Sequence, residues 1–338
     1  MNMTNSTKVE KPWTKWHERL HKSLKSKSNL LPYGSSLLIS VSGGQDSMAL
    51  LKLILDLQRI YEWKVHVWHG DHGWHNQSRQ IAEELEEWCK CQKLSFFCNR
   101  TNKQKVSTEE DARNWRYKSL IQQAKTLSKE SPSLPCERVL TGHTANDRTE
   151  TFIMNLARGA HLKGLSSLRE DRTLETKIQL IRPILRFSRQ ETIQICDEMD
   201  LPIWIDPSNS NIAYSRNKIR AEIIPVLESL HPQSTIRISN LAERLTSLQK
   251  DQHQLAHLAL GALLTSTGLS RSKMTKLSKT VRAIILAQWL EDNKAPLLSS
   301  KQLEELSQKI GKNKGPGNMD ISNHLKIRWN KNSIELIN

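Results

Sequence analysis

Apolar residues fall in short unbroken runs through the first two thirds of the chain and at helical spacing through the last third. Leu37 to Val41, Val65 to Trp68 and Val139-Leu140-Thr141 have strand length. Each ends in a polar turn: Ser42-Gly43-Gly44-Gln45-Asp46-Ser47, His69-Gly70-Asp71-His72-Gly73 and Gly142-His143. Helical spacing follows each turn, over Ser47 to about Leu57, Ile81 to Cys91, and from Asn146 onward. This alternation predicts a parallel α/β domain through about residue 215. Ligands in such sheets collect beyond the carboxyl ends of the strands, so the separated polar turns are expected to converge.

Before this domain, Trp13, Trp16, Leu20 and Leu24 fall on one side of a basic stretch, Trp13 to Lys25, which predicts a short helix packed beside it. After it the pattern changes near Ile223. Ile238, Leu241, Leu245 and Leu248, then Leu255, Leu258 and Leu263, predict one long helix over Ile236 to Leu264. Val281 to Leu290 and the Leu303, Leu306, Ile310 series predict two more, and Leu325 to Trp329 with Ile334 to Leu336 suggest a terminal hairpin around Lys331-Asn332. The expected organisation is a helical extension over 1–34, an α/β domain over 35–222, and a helical linker with a smaller, mostly helical domain over 223–338.

Composition narrows the choice of partner. Fifty Lys and Arg against 35 Asp and Glu give a formal charge of +15, which favours an extended polyanion. No stretch has the apolar length to span a membrane, and the beginning lacks a signal-peptide block, so the cytoplasm is the expected compartment. The five cysteines are scattered, with Cys89 and Cys91 separated by one residue, which suits reduced thiols better than a disulfide or metal framework.

The turn after the first strand carries the strongest chemical signal. Its glycines bring backbone N–H groups toward phosphate oxygens, Ser42 and Ser47 add hydroxyl donors, and the following helix adds its dipole. Asp46 repels phosphate unless a magnesium ion stands between them. The lysine of the usual phosphate-loop NTPases is absent, and so is GxGxxG spacing, which disfavours both of those classes.

Ser42 to Ser47, the strand exit Val67-Trp68-His69-Gly70-Asp71-His72-Gly73-Trp74-His75, the stretch Glu109 to Tyr117 and Thr141-Gly142-His143-Thr144-Ala145-Asn146-Asp147-Arg148-Thr149-Glu150-Thr151 occur in a telling order. With Ile181-Arg182-Pro183, Ser188-Arg189-Gln190-Glu191, Asp206-Pro207-Ser208-Asn209 and Tyr214 to Arg220, they resemble the tRNA(Ile)-lysidine synthetases of the PP-loop ATP pyrophosphatase superfamily over about residues 35 to 230. Three positions depart from that family's pattern. Asn146 stands in place of the first of two aspartates, Arg148 in place of glutamine, and His75 where arginine is common. Asn146 suits a helix N-cap.

The resemblance implies ATP-dependent adenylation of C2 of the wobble cytidine in the CAU anticodon of a minor tRNA(Ile), followed by attack of the ε-amine of L-lysine. ATP is a substrate and Mg2+ the expected ion; the resemblance admits a homodimer, and a plastid stroma for an organellar chain. Ser42, Gly43, Gly44, Gln45, Asp46 and Ser47 are the expected ATP contacts, with Asp46 also the metal ligand. Asp147 is expected to assist magnesium, to orient and deprotonate lysine, or only to cap its helix. Arg113 is expected to neutralise charge on the α-phosphate or to position the RNA, Arg116 to lie on the same face, and pairing with Glu109, Glu110 or Asp111 is the alternative for both. Arg182, Arg189, Arg216 and Arg220 are expected tRNA contacts, their alternative being ordinary salt bridges. The basic run Arg271 to Arg282, with Arg271, Lys273 and Lys276, is expected to clamp tRNA phosphates or simply to be solvated. Rival readings are a tRNA thiolation enzyme, a small-molecule PP-loop ligase, and a noncatalytic basic RNA-binding module.

Overall fold

The computed structural model describes residues 13–73, 77–101, 104, 106, 108–160, 162–204, 215–296, 298–322 and 324–337. They form two compact units, residues 1–244 and 245–338. The units part at Arg244 and Leu245, inside one helix, whereas the hydrophobic pattern changes near residue 222.

The first unit is built around a six-stranded sheet. In chain order its elements are α1 (Lys15–Ser26), β1 (Ser36–Ser40), α2 (Gln45–Tyr61), β2 (Lys64–Asp71), α3 (Ser78–Cys91), β3 (Ser95–Arg100), α4 (Glu109–Glu130), β4 (Arg138–Thr141) and α5 (Ala145–Ala157). Then come α6 (Leu162–Leu165), β5 (Asp171–Glu175), β6 (Ile178–Ile181), α7 (Arg189–Glu198), α8 (Ser215–Lys218), a π-helical turn at Ile219–Ile223, α9 (Ile224–Leu230) and α10 (Ser234–Leu263), which runs on into the second unit.

The strand order is β3-β2-β1-β4-β6-β5, parallel throughout except for the edge strand β5. β1 is buried on both faces because its alternate side chains enter different cores. Leu37 and Ile39 pack with α1, α2, α3 and α7, whereas Leu38 packs with Trp68 and with Leu120, Ala124 and Leu127 of α4. The strand order reverses between β1 and β4, which places a crevice at their carboxyl ends. β2 runs three residues further than its apolar pattern, because parallel pairing continues through His69↔Cys98 to Asp71↔Arg100. His69-Gly70-Asp71 is therefore strand rather than exit turn.

Capping boxes start the helices that surround the crevice. Thr108 with Asp111 starts α4, Thr144 with Asp147 starts α5, and Ser188 with Glu191 starts α7. α1 starts the same way at Thr14 and buries Trp16, Leu20 and Leu24, while Trp13 remains largely outside. Its contacts are specific: the Trp16 indole donates to Glu198 (2.7 Å) and His17 pairs with Asp56 (3.1 Å). The first turn of α10 is held by Thr149, whose hydroxyl donates to the Thr235 carbonyl (2.7 Å), and its third turn by charge, since Glu243 receives Arg148 (3.3 Å), Arg186 and Lys27 (3.8 Å).

The second unit combines the end of α10 with β7 (Leu269–Ser270), α11 (Arg271–Met274), α12 (Lys279–Asp292), α13 (Ser300–Ile310), β8 (Gly317–Ser322), β9 (Leu325–Trp329) and β10 (Ser333–Ile337). Its strands form an antiparallel sheet in the order β7-β10-β9-β8. The hairpin at Lys331-Asn332 is the β9–β10 pair, whose turn is closed by the Asn330 side-chain oxygen accepting from the amides of Asn332 and Ser333 (2.7 and 2.8 Å). Leu263 of the long helix enters this unit's core, with Leu260 and Ala256, but Leu255 and Leu258 are exposed.

Gly142 marks the tightest approach in the crevice: a Cβ there would lie 2.9 Å from the backbone C and O of Asp46 and from the amide of Ser47. Neither neighbour is a flexible side-chain end, so the loop or the strand must shift. Gly142→Ala is expected to destabilise the protein by about 1–3 kcal/mol, as overpacking does, with a lowered thermal unfolding midpoint as the readout.

Candidate active site

The loop after β1 is held open toward the crevice by its own residues. Gly43 has φ +87°, a conformation that glycine enters without strain, and its carbonyl accepts from the Trp204 amide (3.0 Å). The Trp204 indole lies across it, so a Cβ at Gly43 would come within 3.3 Å of the ring. Ser47 donates its hydroxyl to the Gly44 carbonyl (2.8 Å) and accepts from the Ser42 amide (3.2 Å). Gly44, at the N-cap of α2, has no side chain to satisfy the leading amides, which suits them to an anionic ligand. Gln45 turns away, donating its side-chain amide to the Arg189 carbonyl (3.3 Å).

Asp46 meets α7. Thr192 donates to its Oδ1, and Arg189 Nε donates to its Oδ2 at 3.0 Å. Burial raises the Asp46 carboxyl above its ordinary value; Arg189 and Thr192 work against that rise, and Asp147 adds to it. Arg189 is fixed in turn, its amide donating to Asn146 Oδ1 (2.9 Å) and its carbonyl accepting from the Thr192 hydroxyl (2.9 Å). Asn146 thus satisfies the first amide of α7, a neighbouring helix, while the N-cap of α5 is Thr144.

Asp147 fills the capping role expected of it and also faces the crevice. Its Oδ2 accepts from the Thr144 amide (2.8 Å) and hydroxyl (2.9 Å), completing the capping box of α5, while the side chain also lines the crevice. Burial opposes its ionisation, yet His143, Arg189, the Thr144 amide and Arg216 hold its carboxyl down to about 2. Burial and Arg182 push the His143 imidazole well below its ordinary value, while Asp147 works against that fall. His69 is also kept neutral by burial, and its Nδ1 bonds the Val41 carbonyl (2.8 Å).

Five arginines line the same crevice of about 350 Å3: Arg113, Arg116, Arg189, Arg216 and Arg220. Arg113 sits over the Tyr117 ring at 5.1 Å, and Arg116 reaches His72 (3.5 Å). Arg220 forks onto Glu150 (2.7 and 3.1 Å), which also holds Arg216 (3.4 Å); Arg216 extends to Glu109 (3.5 Å) and Thr151 (3.1 Å). Glu150 is fully buried, and burial raises its carboxyl despite Arg220. Sequence reasoning gave it no role, although its place three residues after Asp147 on the same helix was a usable signal.

Two expected tRNA contacts are corrected. Arg182 is 2% exposed and donates to the Arg169 carbonyl (2.5 Å) from within the core. Arg271 is buried in the second unit, where its guanidinium bonds the carbonyls of Ile310, Asn330, Lys314 and Gly315. Both are internal clamps, with their charge spent on backbone oxygens. Lys273 and Lys276 are exposed, Lys273 touching the Ala262 carbonyl (2.7 Å). His75, Asp206 to Asn209 and Tyr214 lie outside the described residues.

The donor set fits one hard cation shared with a ligand. Asp46 and Asp147 line the crevice together, and Mg2+ is ordinarily held by one or two carboxylates plus water and phosphate. Among the described residues, no group of three or more His, Cys, Asp and Glu side chains is arranged to hold a metal by itself. Likewise, no described helix is long and apolar enough to cross a membrane.

Residues 14–227 match the PP-loop domain family, and residues 269–334 match the TilS substrate binding domain. Among solved structures, the U34-tRNA thiolase NcsA of Methanococcus maripaludis shares the fold, with a TM-score of 0.52 and 19% identity over 68% of this chain and 80% of that one. Similarity to curated proteins is far greater. A tRNA(Ile)-lysidine synthase of Parasynechococcus marenigrum is 42% identical over 96% of this chain and 95% of its own length. A chloroplastic tRNA(Ile)-lysidine synthase of Pyropia yezoensis is 40% identical over 69% of each. With 48% identity to the Prochlorococcus marinus (strain NATL1A) tRNA(Ile)-lysidine synthase over 95% of this chain and 99% of that protein, the chain belongs to the tRNA(Ile)-lysidine synthase family of PP-loop ATP pyrophosphatases.

Proposed function

We propose that this protein converts the wobble cytidine of a CAU-anticodon tRNA(Ile) to lysidine, with ATP and L-lysine as co-substrates. The observation that carries the reading is one crevice lined by the phosphate-binding loop, five arginines and four carboxylates, Asp46 and Asp147 among them. In the first step the cytidine C2 oxygen attacks the α-phosphate and pyrophosphate leaves. In the second, the ε-amine of lysine attacks C2, its proton is released, and AMP departs with the former C2 oxygen.

The chain's residues divide this work. Ser42, Gly43, Gly44 and Ser47 cradle phosphate through amides and hydroxyls at the start of α2. Mg2+, when bound, supplies neutralisation of phosphate charge, with Asp46 and Asp147 as its carboxylate ligands. Arg113 stands on the crevice wall as a fixed fork for an α-phosphate or nucleotide oxygen. Held in its charged form by the neighbouring guanidiniums, Asp147 can ligate the ion or orient the ε-amine of lysine. The buried thiols do not suit a sulfur-transfer reaction, since burial pushes Cys89 and Cys196 up to about 12 and Cys136 up to about 11. Lys273 and Lys276, exposed on the second unit, are candidates for RNA phosphate contacts. The reaction belongs in the cytoplasm or in a plastid stroma, and a homodimer is compatible with it.

Purified protein with Mg2+, ATP, L-lysine and unmodified CAU-anticodon tRNA(Ile) is expected to yield lysidine on nucleoside mass analysis; a folded, ATP-binding preparation that yields none overturns the reading. Asp46→Ala is expected to lower pyrophosphate release by roughly a hundredfold or more while tRNA binding persists. Asp147→Asn separates the two steps when pyrophosphate and lysidine are measured apart: loss of both places it in adenylation, loss of lysidine alone in lysine transfer, and retention of both leaves it only the cap. Paired Lys273→Ala and Lys276→Ala changes are expected to weaken tRNA binding and to reduce the slope of log affinity against log salt by about 1–2, and an unchanged slope removes this run from the footprint.

A further inference from the structure

Arg189 is built into a position that its expected role as an RNA contact does not explain. Its Nε meets Asp46 Oδ2 at 3.0 Å, its amide is held by Asn146, and its carbonyl receives both Thr192 and Gln45. Its charge is felt by Asp46, Asp147 and Glu150 alike. The second oxygen of Asp46 is taken by Thr192, the residue three further along α7. One helix end therefore supplies both partners of the carboxylate that faces the phosphate loop, and one of those partners is a cation.

Asp46 and Asp147 line one crevice and repel each other, and a guanidinium beside them can compensate that charge without any ion. A divalent ion approaching Asp46 must compete with that guanidinium, and without phosphate oxygens it gains too few ligands to win. We propose that Arg189 is a positioning residue that occupies Asp46 in the absence of nucleotide and thereby makes metal binding conditional on ATP. The proposal rests on the reading of Asp46 as a magnesium ligand. Asn146 has a part in it as well: by accepting the Arg189 amide, it fixes where the guanidinium starts.

The test is direct metal binding rather than turnover, with Mn2+ as a paramagnetic probe for the magnesium position. Free Mn2+ is titrated by electron paramagnetic resonance against the full-length protein, with and without a nonhydrolysable ATP analogue. The wild type is expected to bind Mn2+ tightly only with the analogue. Arg189→Met, which keeps the apolar stem and removes the charge, is expected to tighten nucleotide-free binding by about tenfold and to shrink the gain from the analogue. Arg189→Lys is expected to remain close to wild type. Mn2+ is also expected to raise the thermal midpoint of nucleotide-free Arg189→Met more than that of wild type, as linkage requires of a ligand that binds the folded state. Unchanged or weaker nucleotide-free binding in a folded Arg189→Met, or equal behaviour of the Met and Lys variants, overturns the proposal while leaving Asp46 as a metal ligand. Failure of wild type to bind Mn2+ even with the analogue overturns both.

Discussion

The pairing of Arg189 with Asp46 is the interaction around which the crevice is organised. It joins the first helix after β1 to α7, two elements more than 140 residues apart in sequence. Its acid is partly desolvated, so losing Arg189 takes away the cation that most offsets the cost of burying that charge. Asp147, Asn146 and Thr192 are arranged about this pair, through the α5 cap, the α7 amide and the second carboxylate oxygen.

Backbone supports charge in the same place. α2, α5 and α7 all begin at this side of the sheet, and the partial positive charge at each helix start favours anions in the space between them. Gly142 lets β4 come close enough to touch the backbone of Asp46 and Ser47, so the loop and the later strand form one wall. Arginines on α4, α8 and the π-helical turn then close the crevice from the other direction, two of them gripped by a single buried glutamate. The site is consequently rich in cations without being an open basic surface.

What was legible in the sequence was what is local. The run Leu37 to Val41, the glycine turn and the helix after it are decided by neighbouring residues, and they appear close to where the pattern puts them. The hairpin at Lys331-Asn332 is equally local. What escaped depends on partners far along the chain. Arg182 and Arg271 read as surface cations because no nearby residue reveals that backbone carbonyls await them inside. Asn146 reads as an N-cap, but Thr144 holds that place in α5, and the Asn146 side chain instead accepts the first amide of α7, more than 40 residues later. β8 carries too little apolar signal to announce itself, and exists because β9 offers an edge.

The contacts of Glu243 add ionic ties to the packing that holds the third turn of α10 to the first unit. Arg148, Arg186 and Lys27 converge on one carboxylate that is itself 29% exposed, and Lys27 also holds Glu170. The three ties differ in what dissolved ions do to them: Arg186 and Lys27 are partly exposed and open to screening, whereas Arg148, 4% exposed, is largely shielded from it. Ionic strength therefore loosens the outer two ties first, and the Arg148 tie still fastens the long helix to α5 after they have weakened.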